Sequence, residues 1–245
     1  MHTQLVYSYA SRVYNAVEGK DDYEDPERVQ DLLDDLPKAA RPNKITLLHD
    51  FIRSVSHFDI EYASRKAPDY LVDEATETLR AARMPVPRWL TEERIVTARS
   101  DHRSELDDLF CSAFDRAVLP AVFYILFSDR TFLIEFQRRI AEVVSAYTRL
   151  EHGDMLARDG ILRRQHVPSW LKSAVFFRDH GICQACERNL TGLARPVSDV
   201  HLDHIIPLAE SGSNDPTNFQ LLCKRCNGAK GGSAPSSIPT FTPYW

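Results

Sequence analysis

Four cysteines have the spacing of residues that hold a metal ion. They form two pairs, Cys183-x2-Cys186 and Cys223-x2-Cys226, with 36 residues between the pairs. A two-residue gap lets one tight turn offer two sulfur atoms to one ion, and four thiolates close a tetrahedral zinc site. Two disulfides are the alternative, which a reducing compartment disfavours. We therefore predict one structural zinc ion, without an open coordination position for chemistry.

The segment between the cysteine pairs carries a second set of polar residues. Asp203-His204 ends a predicted strand, Asn218 follows a loop, and Asn227 lies beside the last cysteine. This combination resembles the HNH endonucleases, which have a ββα-metal fold. The resemblance covers about residues 168–232 and implies a small zinc-stabilised domain that hydrolyses phosphodiester bonds in DNA.

The resemblance also implies a role for each residue. His204 matches the general base, which takes a proton from water, and Asp203 matches an acidic metal ligand. Asn218 matches the central asparagine, which braces the loop that orients the base. Asn227 stands where the last histidine of the motif often lies, so the sequence is an H-N-N variant. Because Asp203 and Asn227 both offer oxygen atoms, we expect Mg²⁺ or Mn²⁺ as the catalytic ion.

Other polar residues around this motif could contact the substrate. His201 lies two residues before Asp203, on the same face of a strand. It has two alternative roles, contact with the metal or a phosphate and a purely structural one. Four cations are expected to contact phosphates without reading the base sequence: Arg178, Lys224, Arg225 and Lys230.

The composition of the chain indicates two unlike parts. Of the 9 glycines, 8 lie after residue 150, while the first 155 residues show apolar residues three and four positions apart. We predict an all-α domain of six or seven helices over residues 1–155, an HNH domain over 161–232 and an irregular tail over 233–245. The fold class is therefore mainly α, with a small α+β domain following the helical one.

Charge divides along the same line. Residues 161–245 carry a net charge of +3, and residues 1–160 carry −8. A negative helical domain is a poor surface for DNA, so we expect it to bind a protein partner or to regulate cutting. The longest apolar run, residues 117–127, is shorter than the roughly 20 residues that a membrane span needs. We expect a cytoplasmic protein without a membrane partner.

These features predict a metal-dependent DNA endonuclease. The resemblance further implies a setting in restriction or phage defence, with a larger protein partner. RNA is the alternative substrate. Because one HNH site cuts one strand, double-strand cleavage would need a homodimer or two sequential nicks. The alternative function is that of a zinc-stabilised module that binds nucleic acid or docks to a protein without cutting.

Overall fold

A computed structural model describes residues 3–19, 36–92, 102–192 and 200–231. Its helices are α1 (Thr3–Glu18), α2 (Leu36–Ala40), α3 (Leu47–Lys66), α4 (Pro68–Ala81), α5 (Arg88–Glu92), α6 (Arg103–Ala113), α7 (Leu119–Ser128), α8 (Arg130–Ser145), α9 (Arg149–His152), α10 (Ser169–Arg178) and α11 (Lys224–Lys230). Its strands are β1 (Leu156–Arg158), β2 (Ile161–Leu162), β3 (Val200–His204) and β4 (Phe219–Cys223). The predicted fold class, mainly helical with a small α+β region, is confirmed.

The chain divides into two compact units. The first unit consists of residues 1–24 and 48–126, and the second consists of residues 25–47 and 127–245. The division differs from the predicted domains, because residues 25–47 and 127–155 were expected in the helical domain and belong to the same unit as the cysteines. The predicted tail, residues 233–245, lies outside the described residues.

Aromatic side chains and one buried charge network hold the first unit together. Tyr9 on α1 is fully buried and meets Phe114 edge to face, with 4.9 Å between the ring centroids. Arg12, on the same helix, places Nη1 at 3.0 Å from both Asp59 of α3 and Glu74 of α4. Because buried charges are costly unless paired, this network fixes the three helices in one arrangement.

One continuous helix, Arg103–Ser128, combines α6, a wide π-helical turn (Phe114–Val118) and α7. The wide turn directly precedes Leu119 and Pro120, where the proline lacks an N–H and would crowd a regular helix. Within the described part of the chain, this is the one helix long and apolar enough to cross a membrane by length and composition. The core helix of a soluble protein meets the same criteria, so the finding is weak evidence for a membrane span.

The junction between the two predicted domains, around residues 155–161, is folded. Residues 149–162 form α9, a 3₁₀ turn and the antiparallel β1–β2 hairpin. Gly160, in the turn of that hairpin, has a φ of +68°, and a Cβ atom there would lie 2.9 Å from the carbonyl oxygen of Ser145. Its N–H donates to the carbonyl of Tyr147 at 2.8 Å. Glycine is therefore required by conformation and by space.

The C-terminal part of the second unit is a ββα arrangement. Strands β3 and β4 pair antiparallel, from Val200 opposite Cys223 to His204 opposite Phe219, and α11 follows β4 directly. Helix α10 contributes Leu171 and Val175 to a core cluster that also contains apolar side chains of β4. This packing places the end of β3, the loop after it and α11 next to one another.

Candidate metal and catalytic site

The four predicted zinc ligands come together. The Sγ atoms of Cys183, Cys186, Cys223 and Cys226 all lie within 4.8 Å of one another, and the Cys186–Cys223 separation is 3.9 Å. A zinc–sulfur bond of about 2.3 Å puts sulfurs at the corners of a tetrahedron about 3.8 Å apart. A disulfide would instead need about 2.05 Å. The geometry is therefore compatible with a Cys₄ zinc site and shows no disulfide.

Backbone hydrogen bonds shape both cysteine turns. The N–H of Cys183 donates to the carbonyl of Arg188, and the N–H of Gln184 joins the first turn to the carbonyl of Leu221 on β4, both at 2.9 Å. In the second turn, the N–H of Cys226 donates to Cys223 Sγ at 3.5 Å. This bond, first among several, lowers the pKa of the Cys223 thiol to about 7. The thiolate form that binds metal is thereby favoured.

His204 lies at the end of β3, in a nearly closed environment. Its side chain is 2% exposed, and its ring packs against Phe219 across the strand pair with 4.5 Å between centroids. Burial, followed by the positive charge of Arg164, lowers the pKa of His204 to about 4. The imidazole is therefore neutral at physiological pH, the form that can accept a proton.

A single asparagine contacts the His204 ring. His204 Nε2 lies 3.3 Å from Asn214 Oδ1. The Asn214 amide group donates to the carbonyls of Ala40 at 3.1 Å and Arg163 at 2.8 Å, and its backbone N–H donates to the carbonyl of Ala39. Asn214 is fully buried, so its orientation is determined by these partners.

Asp203 is paired with a lysine of α11. Lys230 Nζ lies 2.7 Å from Asp203 Oδ2 and 2.7 Å from the carbonyl oxygen of His204. The side chains of Asp203 and Lys230 are 16% and 14% exposed, respectively. Successive side chains of a strand point to opposite faces, so Asp203 shares its face with His201, which is partly buried. No contact with a site residue decides between the two roles of His201.

Asn218 ties the two ends of the loop after β3 together. Its Oδ1 accepts from the N–H of Ile206 at 2.8 Å, and its Nδ2 donates to the carbonyls of Ile206 at 2.9 Å and Ser213 at 2.8 Å. The side chain is fully buried. These bonds hold the start of the loop, at Ile206, against its later part, at Ser213. Ile206 lies two residues beyond His204.

The loop between these ends approaches itself closely at Gly212. A Cβ atom on Gly212 would lie 1.9 Å from the carbonyl oxygen of Ile206. The N–H of Gly212 donates to the carbonyl of Pro207 at 2.9 Å. The tight loop therefore needs a residue without a side chain, and it carries Asn214 back towards His204.

Three further predicted residues, Asn227, Lys224 and Arg225, lie on α11. Asn227 is partly exposed and lies one turn before Lys230, so the two side chains share a face of the helix and Asn227 is directed to the same side as Asp203. Lys224 and Arg225, at the start of the helix, are exposed. They remain available to a phosphate.

Part of the chain matches a known protein family. Residues 183–233 match the family model of the HNH endonucleases. This segment is therefore similar to the HNH endonucleases, and the rest of the chain lies outside the match. No curated protein and no solved structure matches the chain.

Two of the four predicted phosphate contacts in and beside the HNH domain are engaged elsewhere. The Arg178 side chain is 5% exposed; its Nε donates to Asp179 at 2.7 Å, and its Nη2 donates to the carbonyl of Phe219 at 2.6 Å. Its guanidinium also lies over the Phe127 ring. This side chain therefore anchors α10 to β4, and its contact with nucleic acid stays a prediction. Lys230 is likewise bound within the site.

The HNH domain depends on chain segments outside the matched residues. Within the second unit, Gln137 of α8 bonds to Ser213 at 2.8 Å and to Thr217 at 2.7 Å. Asp215 Oδ2 accepts from the N–H of Leu47 at 2.9 Å. These partners are far away in sequence, so the spacing within the motif carries no signal of them.

Asn214 is a site residue that sequence reasoning missed, because its only signal is a place in a loop. Arg164, upstream of the motif, was expected to add positive charge around the site. Arg164 lines an open groove of about 790 Å³ together with Lys172, Phe177 and Leu202, among others. Leu202 shares a face of β3 with His204, and the charge of Arg164 acts on the His204 ring. The groove is therefore lined by a β3 residue on the His204 face and by a cation whose charge acts on the His204 ring.

Proposed function

We propose that this protein is a metal-dependent endonuclease that hydrolyses phosphodiester bonds in DNA. The observation that carries the proposal is a neutral, buried His204 that directly follows the Asp203 carboxylate at the end of β3, inside the segment that matches the HNH family. A neutral imidazole can accept a proton from water, and a carboxylate beside it can hold a cation. Hydrolysis of a phosphodiester needs both groups.

His204 acts as the base that takes the proton of the attacking water. Its low pKa keeps it deprotonated but makes it a weak base when the protein is free of substrate. A phosphate bound beside it brings negative charge, which favours the imidazolium and raises the pKa. The basicity of His204 therefore increases when the substrate arrives.

The donor atoms around the base fit a hard divalent cation. Asp203 and Asn227 offer a carboxylate and an amide oxygen, the ligands that Mg²⁺ and Mn²⁺ prefer. The Lys230 ammonium beside Asp203 indicates that this point stabilises positive charge. When bound, the ion would neutralise charge on the phosphate and on the leaving oxygen.

The groove lined by Arg164 and Leu202 supplies the substrate contacts. Arg164 and Lys172 are exposed cations on its wall, and phosphate contacts of this kind position a strand without reading its sequence. Phe177 is 75% exposed, and an exposed aromatic ring offers a surface on which a base can stack. Lys224 and Arg225 add positive charge from α11.

We propose a role in restriction or phage defence, in the cytoplasm and with a larger protein partner. Support for this setting comes from a resemblance: stand-alone HNH proteins of this size resemble restriction and phage-defence nucleases. The net charge of −8 over residues 1–160 supports the partner, since such a surface repels DNA and suits a protein instead. A homodimer would allow both strands to be cut.

One observation favours the alternative, a module that binds nucleic acid without cutting it. Lys230 neutralises Asp203 in the described structure, and a carboxylate held by an ammonium would be a poor metal ligand if that pair never opened. The two functions share the fold and the zinc site. They differ in whether Asp203 accepts a divalent ion.

A plasmid-nicking assay distinguishes them. We expect the full chain to convert supercoiled plasmid to open circles with Mg²⁺ or Mn²⁺ and not with EDTA. His204→Ala should abolish nicking, and His152→Ala, on α9 of the same unit, should not. Equal nicking by the wild type and His204→Ala would overturn the proposal. A structured RNA in parallel reactions tests the alternative substrate.

A further inference from the structure

The orientation of the Asn214 side chain is determined by the atoms around it. Its Nδ2 carries two hydrogens and faces two carbonyl oxygens, those of Ala40 and Arg163. If the amide were rotated by 180°, Oδ1 would face these two carbonyl oxygens. All three atoms are acceptors, so no hydrogen bond could form between them. The amide nitrogen must therefore point to the carbonyls, and Oδ1 must point to His204 Nε2.

The position of Oδ1 has a consequence for the imidazole. An amide oxygen only accepts hydrogen bonds, so the Nε2 atom at 3.3 Å can bond to it only as a donor. In a neutral imidazole, one nitrogen carries the proton and the other offers a lone pair. With the proton on Nε2, the lone pair lies on Nδ1.

The environment of Nδ1 agrees with a role as proton acceptor. Within the described residues, the hydrogen bond of the His204 ring is made by Nε2, and no protein group donates a hydrogen bond to Nδ1. The lone pair of Nδ1 is therefore not engaged by a described protein donor.

We propose that Asn214 is the positioning residue that holds His204 as the Nε2–H tautomer and leaves Nδ1 as the base. The proposal rests on the proposed nuclease function for its catalytic meaning, but the tautomer itself does not. Asn214 keeps its hydrogen bond after Nδ1 takes a proton, because Nε2 is a donor in both states. The ring therefore stays in place while the proton moves.

The proposal also explains why the site needs chain outside residues 183–233. The two carbonyls that orient Asn214 belong to Ala40, at the end of α2, and Arg163, directly after β2. Both lie in the second unit. The tautomer of the base is thus determined by residues that no HNH motif contains.

Nitrogen-15 NMR of histidines in the full-length protein tests the tautomer without any cleavage. In wild type near neutral pH, we expect the His204 signals of an Nε2–H tautomer, with the Nε2 proton protected from exchange. In Asn214→Ala, the protection should disappear and the two tautomers should mix. A wild-type Nδ1–H tautomer, or unchanged protection in Asn214→Ala, would overturn the proposal.

Cleavage kinetics then test the catalytic meaning. In correctly folded, zinc-loaded protein, Asn214→Ala should lower kcat by about tenfold or more, since the base is no longer oriented, with little change in KM. A wild type that does not cut but shows the protected Nε2 proton would refute the nuclease function alone. A normal kcat in Asn214→Ala would refute the positioning role.

Discussion

Lys230 Nζ lies 2.7 Å from Asp203 Oδ2 and, at the same distance, from the carbonyl oxygen of His204. This ammonium joins α11 to the end of β3 and places a positive charge between the two residues that the HNH resemblance assigns to catalysis. The pair is about 15% exposed on each side, so water screens it only in part. Lys230 is therefore part of the site rather than a surface cation.

Removal of this ammonium should strengthen metal binding. In Lys230→Met, Asp203 no longer shares its carboxylate with a lysine, so we expect Mn²⁺ to bind several-fold more tightly by calorimetry. The same variant should lose on the order of 1 kcal/mol of unfolding free energy, because the pair is partly buried. Lys224→Met, on the exposed start of α11, serves as the control and should change neither value. Unchanged or weaker Mn²⁺ binding by Lys230→Met would contradict this account.

The zinc site should hold the fold of the HNH domain. In Cys186→Ser, one of four thiolates is lost, and a metal that contributes on the order of 10 kcal/mol in small zinc domains no longer binds normally. We expect metal analysis to find no zinc, and hydrogen exchange over residues 183–226 to lose protection. Cys111→Ser, outside the cluster, should retain both. Full zinc content in Cys186→Ser would show that the cluster is not the metal site.

Acid should destabilise the protein through His204. The ring has a pKa of about 4 when folded and about 6.5 when unfolded. Between these values the unfolded chain binds the proton and the folded chain does not, so stability is complete above about pH 6.5 and is lost as the pH falls towards 4. The shift corresponds to at most about 3 kcal/mol.

The measurement is the free energy of unfolding by denaturant at several pH values. In His204→Gln, which cannot titrate, the loss of stability between about pH 6.5 and 4 should be smaller than in wild type. Parallel pH curves for the two proteins would show that His204 is not buried in its neutral form.

The loop after β3 should tolerate no side chain at Gly212. The Cβ atom of Gly212→Ala would meet the backbone oxygen of Ile206, so the loop must move and the bonds of Asn218 to both of its ends must stretch. We expect a loss of at least about 2 kcal/mol of unfolding free energy. Gly228→Ala is the control, because a Cβ atom there meets nothing within 4 Å and alanine favours a helix. A Gly212→Ala protein as stable as Gly228→Ala would disprove the requirement.

Local spacing in the sequence predicted what local geometry determines. The two Cys-x2-Cys turns and the helical character of the first unit follow from residues a few positions apart. In both cases the signal is a short repeat with the period of a turn or a helix. The ββα arrangement was implied by the resemblance to the HNH endonucleases.

Long-range contacts left no such signal. Asn214 bonds to Ala40, which lies 174 positions earlier, and Asp215 bonds to Leu47, 168 positions earlier. Nothing near these residues in sequence marks them as partners, so the division of the chain into units was not predictable from composition. Arg178 shows the same limit, because only the folded structure reveals that Asp179 and the Phe219 carbonyl occupy its guanidinium.

The central claim is that His204 and Asp203 cut nucleic acid, and a single-turnover cleavage rate tests it most directly. Wild type and His204→Ala, matched for zinc content and for duplex binding in a gel-shift assay, would be compared with Mn²⁺ near neutral pH. The account predicts equal binding and a rate at least about 10²-fold lower for His204→Ala. Equal rates, or no metal-dependent cleavage by wild type on DNA or RNA, would contradict it.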